Sequence, residues 1–294
     1  MNPNTSRPKR RLPIFRILIF LLALGVLAFA ALQLMDFYSE DKKSDQAAQI
    51  LREQAVTAIP IPSLPEEETT PDNREELPLE PLPTYPAISY TIPISVDFSL
   101  LQAENPDIIG WIYCADTPIN YPIVQALDNQ YYVDRLVDGT PNGAGAIFMD
   151  FRNNPDFSDL NTIIYGHNMT NKSMFGSLRD YRNQSYYDQF PSLWIVTPET
   201  AYRVDLVAGC VTAADSDDYD LLDQKEDLQA LLKELMGRST FESNVNPNVV
   251  NNVVVLSTCT YEYDNARYIV VGSLLPIPYP DEFTEASSGN DLTK

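Results

Sequence analysis

A single histidine, His167, stands in a chain of 294 residues. Histidine is the side chain best suited to moving protons near neutral pH. Its scarcity leaves one position for that work and no histidine cluster to hold a metal. Cysteine is scarce too: Cys114, Cys210 and Cys259 are the three, none in a CxxC spacing, which argues against a structural zinc site. An odd number leaves at least one thiol without a partner in the chain. Positive charge is also short, with 20 Lys and Arg against 41 Asp and Glu and a net charge of −21. That balance argues against nucleic acid as a partner and disfavours other anions. No internal repeat is visible. Apolar residues are plentiful, at 44%, enough for a real core in one or two domains.

The few cations are unevenly placed. Arg7, Lys9, Arg10, Arg11 and Arg16 crowd residues 1–16, where no acid occurs. Residues 17–35, "ILIFLLALGVLAFAALQLM", follow without a charge. At about 1.5 Å per residue, a helix of that length nearly spans a hydrocarbon core of ~30 Å. A basic flank stays cytoplasmic. The expected topology is therefore a cytoplasmic tail at 1–16, a single-span membrane anchor at 17–35, and the remainder outside. A cleaved signal peptide is the alternative, because Ala28-Phe29-Ala30 resembles a small-x-small cleavage site. The run is longer than an ordinary signal-peptide core of ~7–15 residues, which favours the anchor.

Residues 36–92 read as a juxtamembrane helix over 40–58 followed by a Pro- and Glu-rich stalk. Its stretch 60–86 holds eight prolines and a block of acids. It buries too little apolar surface to repay its ordering entropy. The folded domain is expected over 93–278, and 279–294 as a flexible C-terminal tail.

Within 93–278 the pattern is mostly strands. Residues 109–114, 119–125, 145–150, 162–167, 193–197, 202–213, 252–259 and 267–275 are β-branched or aromatic runs bounded by turn formers. Eight such runs suggest a closed barrel or a sandwich. Helices are expected at 95–105, starting on Ser95 or Asp97, and in short pieces at 128–136 and 173–181. The strongest candidate is 221–238, where Leu228, Leu231, Leu232, Leu235 and Met236 follow helical spacing and Gly237 closes the run. That stripe is a packing face.

The chemistry gathers around Cys259. It ends the apolar strand "VVVLSTC", in which Val253, Val255, Ser257 and Cys259 share one face and Val254, Leu256 and Thr258 the other. Arg267 opens the next strand after a short loop, so a hairpin would set Cys259 and Arg267 side by side near the loop end. Acyl transfer needs a sulfur that attacks as thiolate, an imidazole that takes and returns a proton, and donors aimed at the developing oxyanion. Cys259, His167 and Arg267 supply one of each. Arginine stays cationic, so it stabilises an oxyanion and cannot act as base. Each residue also has an ordinary reading: a core thiol, a structural histidine, and a surface ion pair of Arg267 with Asp264 or Glu262. Cys114 and Cys210 lie inside other strand-like runs and read as core thiols. Spacing alone does not bring His167 to Cys259.

"LSTCTYEYDNAR" resembles the cysteine–arginine signature of sortases, and "YGHNM" resembles their histidine strand. The segments "NPDIIGWIYCADTPINYPIVQ", "DNQYY", "GAIFMDFRN" and "MFGSLRDY", and the helix at 221–238, are similar to class B sortases. Val255 stands where the signature commonly has threonine; facing the barrel interior or its shell, it should not touch the chemistry. The resemblance covers roughly 95–275. It implies a mostly-β chain with an eight-stranded sortase-type barrel, and His167, Cys259 and Arg267 as the catalytic triad. It further implies a cysteine transpeptidase on a Gram-positive cell surface; some sortases require calcium, but no dedicated acidic cluster in the folded domain demands it, so no cofactor or metal is expected. Its partners would be an LPxTG- or NPxTx-like sorting signal and an amine from a peptidoglycan precursor or a pilin lysine. Ser257, Thr258 and Asn168 would line the substrate groove. A thiol hydrolase using water as acceptor and a non-enzymatic surface adhesion module are the alternatives.

Overall fold

The computed structural model describes residues 14–59, 91–277 and 279. The basic tail before residue 14, the stalk at 60–86 and the tail past Tyr279 lie outside the described residues. In chain order the elements are α1 (Ile14–Ala55), β1 (Val56–Ala58), β2 (Ile94–Val96), α2 (Phe98–Glu104), β3 (Ile108–Tyr113), β4 (Asn120–Val124), β5 (Ile147–Met149) and β6 (Asn161–Tyr165). There follow α3 (Gln184–Gln189), β7 (Ser192–Val196), β8 (Ala201–Ala213), α4 (Lys225–Gly237), β9 (Val253–Cys259) and β10 (Ala266–Ile277). Strands β3 to β10 close a barrel in the order β10-β8-β7-β3-β4-β5-β6-β9. The expected closed barrel is thus present, and all eight strand-like runs form its staves. Two pairings are parallel, β4 with β5 and β6 with β9.

All eight staves send alternate residues into one interior cluster, among them Ile112, Ile123, Ile164, Leu206, Leu256 and Val270. The opposite faces are covered as well. Val253, Val255, Ile163 and Ile269 pack under Leu228, Leu232 and Leu235 of α4. Trp111, Ile108, Val124 and Phe148 form a second outer cluster with Phe98 and Leu101 of α2 and Ile94 of β2. Burial on both faces is why β9 reads as a continuous apolar run rather than an alternating one. It also settles Val255, which lies in the shell under α4 rather than the interior.

Helices depart from expectation in informative places. Asp97 is the N-cap of α2, its side chain accepting from Leu100 N. Residues 128–136 form turns rather than a helix, because the Asp128 carboxylate accepts from both Gln130 N and Tyr131 N and competes with helical bonding. Residues 173–181 contribute to a 3-10 helix, Gly176–Arg182, and α3 was not foreseen.

The N-terminal helix differs most. α1 runs unbroken through the apolar stretch, whose window Arg16–Gln33 is long and apolar enough to cross a membrane by length and composition. It continues to the barrel, where Ala48 and Ala55 are buried and Arg52 Nη2 donates to Asn120 O at 2.9 Å. β1 then pairs antiparallel with β2. α1 thus packs on the barrel ahead of residue 93: helical periodicity lays its small residues against the wall. At the other end Tyr279 is held by its hydroxyl, which donates to Thr197 O at 2.7 Å.

Candidate active site

The wall formed by β6, β9 and β10 carries the site on its outer face. Along β9, Val254 and Leu256 point inward, so Ser257 and Cys259 point out with Val253 and Val255. Cys259 faces Arg267 directly across the antiparallel β9–β10 pair. Along β6, Ile163 points out and Ile164 in; continuing the alternation sends Gly166 in and His167 out. A Cβ on Gly166 would lie 2.5 Å from Ile147 Cδ1 and 2.7 Å from Phe175, so only glycine fits before the histidine. β6 runs parallel to β9 with Tyr165 opposite Ser257. The register continues past the strand end: Gly166 N donates to Ser257 O at 3.0 Å, and Asn168 Nδ2 donates to Cys259 O at 2.8 Å. His167 is thereby level with Cys259 on the neighbouring strand, at a backbone spacing of about 4.8 Å. The three side chains that spacing alone could not unite stand on one face of three adjacent strands.

Their surroundings fix them. His167 Nε2 makes a 2.7 Å hydrogen bond with Val133 O. Arg267 Nη1 donates to Ala266 O at 3.1 Å, and among the described residues it makes no ion pair. Glu262 instead pairs with Arg182, whose Nη2 also donates to Thr260 Oγ1 at 2.9 Å. Hydrogen bonding from Arg182 outweighs the small burial of Glu262 and lowers its carboxyl to about 2. The loop after Cys259 is thus pinned to the barrel.

Cys259 is half-buried, whereas Cys114 and Cys210 are buried, and all three are free thiols. Burial pushes the Cys114 thiol up and the Cys210 thiol to about 11. These two are core residues, as their strand positions suggested.

The residues expected to line the groove divide. Ser257 Oγ is buried and hydrogen-bonded to Tyr219 OH at 2.7 Å. Thr258 faces the interior, and its Oγ1 has no partner among the described residues. Asn168 Nδ2 grips the backbone carbonyl of Cys259.

A polar network beside the site escaped sequence reading. The rings of Tyr165 and Tyr219 stack at 6.1 Å. Tyr165 OH donates to Asp150 Oδ2 at 2.9 Å, and Asn129 Nδ2 to the same oxygen at 3.0 Å. The Arg152 guanidinium donates twice to Asp150, and its Nη2 also reaches Tyr219 O at 3.0 Å. Burial raises the Asp150 carboxyl, but the hydrogen bonds, led by Arg152, outweigh it and hold it below the ordinary range. Burial pushes both tyrosine phenols upward, so they stay neutral donors at working pH. Tyr219 is set in place by a 3-10 turn, Asp217–Tyr219, whose Asp218 accepts from Thr212, Ser216 and Arg238. The signal that could have found this network is an acid closing the wholly apolar run "AIFM" with an arginine two positions on. A carboxylate in such a place must be paired.

A sortase-domain family model matches residues 112–275. The chain belongs to the sortase family, in class B. Sortase B of Listeria monocytogenes is 35% identical over 178 residues, covering 60% of this chain and 72% of the relative. Sortase B of Staphylococcus aureus is 32% identical over 184 residues, covering 61% and 75%. A solved Staphylococcus aureus sortase B–substrate complex superposes with a TM-score of 0.57 at 30% identity, covering 61% of this chain and 85% of that one. As a sortase the chain is a cysteine transpeptidase of surface-protein anchoring, acting on sorting-signal substrates. The barrel expected from the sequence resemblance is the sortase fold.

Proposed function

We propose that Cys259 is the nucleophile of this transpeptidase, His167 its acid–base and Arg267 its oxyanion donor. The observation that carries the reading is the shared register of the three on the outer face of β6, β9 and β10. The Cys259 sulfur attacks the threonine carbonyl of a sorting signal near the C-terminus of a surface protein. The guanidinium of Arg267 donates to the oxygen as it gains charge. The imidazole gives its proton to the departing amine, and a thioester remains on Cys259. An incoming amine then attacks the thioester, the imidazole takes its proton, and the thiolate leaves.

The sorting signal is of the LPxTG or NPxTx kind, and the acceptor is an amine of peptidoglycan precursor or of a pilin lysine. α1 anchors the enzyme with its basic end in the cytoplasm and the barrel outside. Substrates held by their own hydrophobic tails then meet the site at raised effective concentration.

The test is a peptide-cleavage assay on the full chain in detergent, read by mass spectrometry with candidate amines present. Transfer product from the native chain, and none from Cys259→Ala, is the expected result. Free acid alone at high amine concentration would make the enzyme a hydrolase. Undiminished cleavage by Cys259→Ala would remove the cysteine from the mechanism.

A further inference from the structure

His167 is held by a backbone carbonyl, and a glycine without a Cβ leaves that carbonyl its place. A carbonyl oxygen only accepts, so the 2.7 Å contact between Val133 O and His167 Nε2 requires the proton on Nε2. In the neutral ring the lone pair is then on Nδ1. Val133 belongs to the irregular connection between β4 and β5, where a carbonyl has no strand ladder to aim it. Gly145 packs against that carbonyl. Its φ is +59°, a conformation that costs a side-chain residue strain. A Cβ there would lie 2.5 Å from Val133 O, 2.7 Å from Tyr132 O and 3.0 Å from His167 Cδ2. The Gly145 backbone therefore lies against both carbonyls and the imidazole edge at once.

This clamp is tied onward. Gly145 N donates to Asn142 O at 3.1 Å, and Ala144 N to Asn142 Oδ1 at 2.9 Å. Asn142 is buried, and its Nδ2 donates to Glu40 O of α1 at 3.0 Å. One hydrogen-bonded run thus reaches from the helix that leaves the apolar segment to the loop that presents Val133 O.

We propose that Gly145 is a positioning residue that fixes His167 with its proton on Nε2, making Nδ1 the nitrogen that exchanges protons with Cys259 and with the amines, and that Asn142 fastens this clamp to α1. The inference rests on the reading of His167 as the acid–base.

Because the chain has one histidine, selective ¹⁵N-histidine labelling of the full chain in micelles gives one signal per ring nitrogen without assignment. The neutral native ring should show a protonated Nε2 and an unprotonated Nδ1. In Gly145→Ala the two nitrogen shifts should move toward each other as tautomers mix. Its kcat should fall about 10- to 100-fold with KM unchanged, since acid–base positioning acts on the chemical step. Asn142→Ala, which keeps Gly145, should shift the ring signals the same way with a smaller loss of kcat. A native neutral ring protonated on Nδ1 overturns the proposal even if Gly145→Ala does not fold. So does native ring chemistry with native kcat in either variant. An inactive native chain with the Nε2–H ring would count against the acid–base reading of His167 and leave the clamp standing. An active chain with the Nδ1–H ring would refute the clamp alone.

Discussion

Replacing Arg267 by lysine keeps the charge and loses the planar fork of donors. Arg267 lies opposite Cys259 on the adjacent strand, and its proposed role as oxyanion donor needs that fork. Arg267→Lys should therefore lower kcat about 100- to 1,000-fold, the loss typical of a missing oxyanion donor, in steady-state cleavage of a sorting peptide. Near-native turnover would take the arginine out of the reaction. Thiol reactivity should follow burial: half-buried Cys259 should be alkylated before Cys114 and Cys210, both buried with raised thiols. Peptide mapping after brief iodoacetamide treatment reads the order directly. Tyr219→Phe would leave buried Ser257 Oγ without its partner, costing about 1–3 kcal/mol in a denaturant melt.

The β9–β10 loop is an element tied to the barrel by an ion pair that acid can break. Glu262, paired to Arg182, has its carboxyl lowered from 4.5 to about 2. A depressed carboxyl contributes fully above the unfolded value and loses that contribution as pH falls through the folded one. The clamp should thus weaken between about pH 4.5 and about pH 2, seen as faster amide exchange at 260–265. Glu262→Gln should remove that acid dependence; an unchanged profile would place the loop's order elsewhere. Asp150 and Asp218 are lowered too, so acid loosens the walls of the site in the same sense. Helix α4 lays its leucines on the barrel and is tied at its flanks by Gln229 to Val250 O and by Arg238 to Asp218. Leu232, fully buried against the barrel, should cost about 2–5 kcal/mol when cut to alanine, by thermal or denaturant melt. The strands were legible because β-branched runs carry their period locally. The turn at 128–136 and α3 were not, since Asx-turn competition and short helices leave weak periodic traces.

At the scale of the whole molecule, α1 joins an apolar segment to the barrel without a break. In vesicle flotation the full chain should rise with the lipid, while a chain with Leu22 and Leu24 changed to lysine should stay below. Each such lysine costs about 2.5–3.5 kcal/mol at the centre of a spanning helix. Recovery of both forms with lipid would move the anchor elsewhere.

The amino-acid sequence by itself determined the local facts: which runs become strands, which side of β9 carries Cys259, and that a lone imidazole, a thiol and a guanidinium were available. Backbone sterics and side-chain alternation act over a few residues, so these facts are written within a few residues. Tertiary structure decided the rest. The parallel pairing of β6 with β9 brought His167 level with Cys259. Barrel closure buried Asp150 among its donors. Packing of α1 set Asn142 against Glu40. Each depends on contacts between distant segments that exist only once the sheet has closed, and no short stretch of sequence contains both partners.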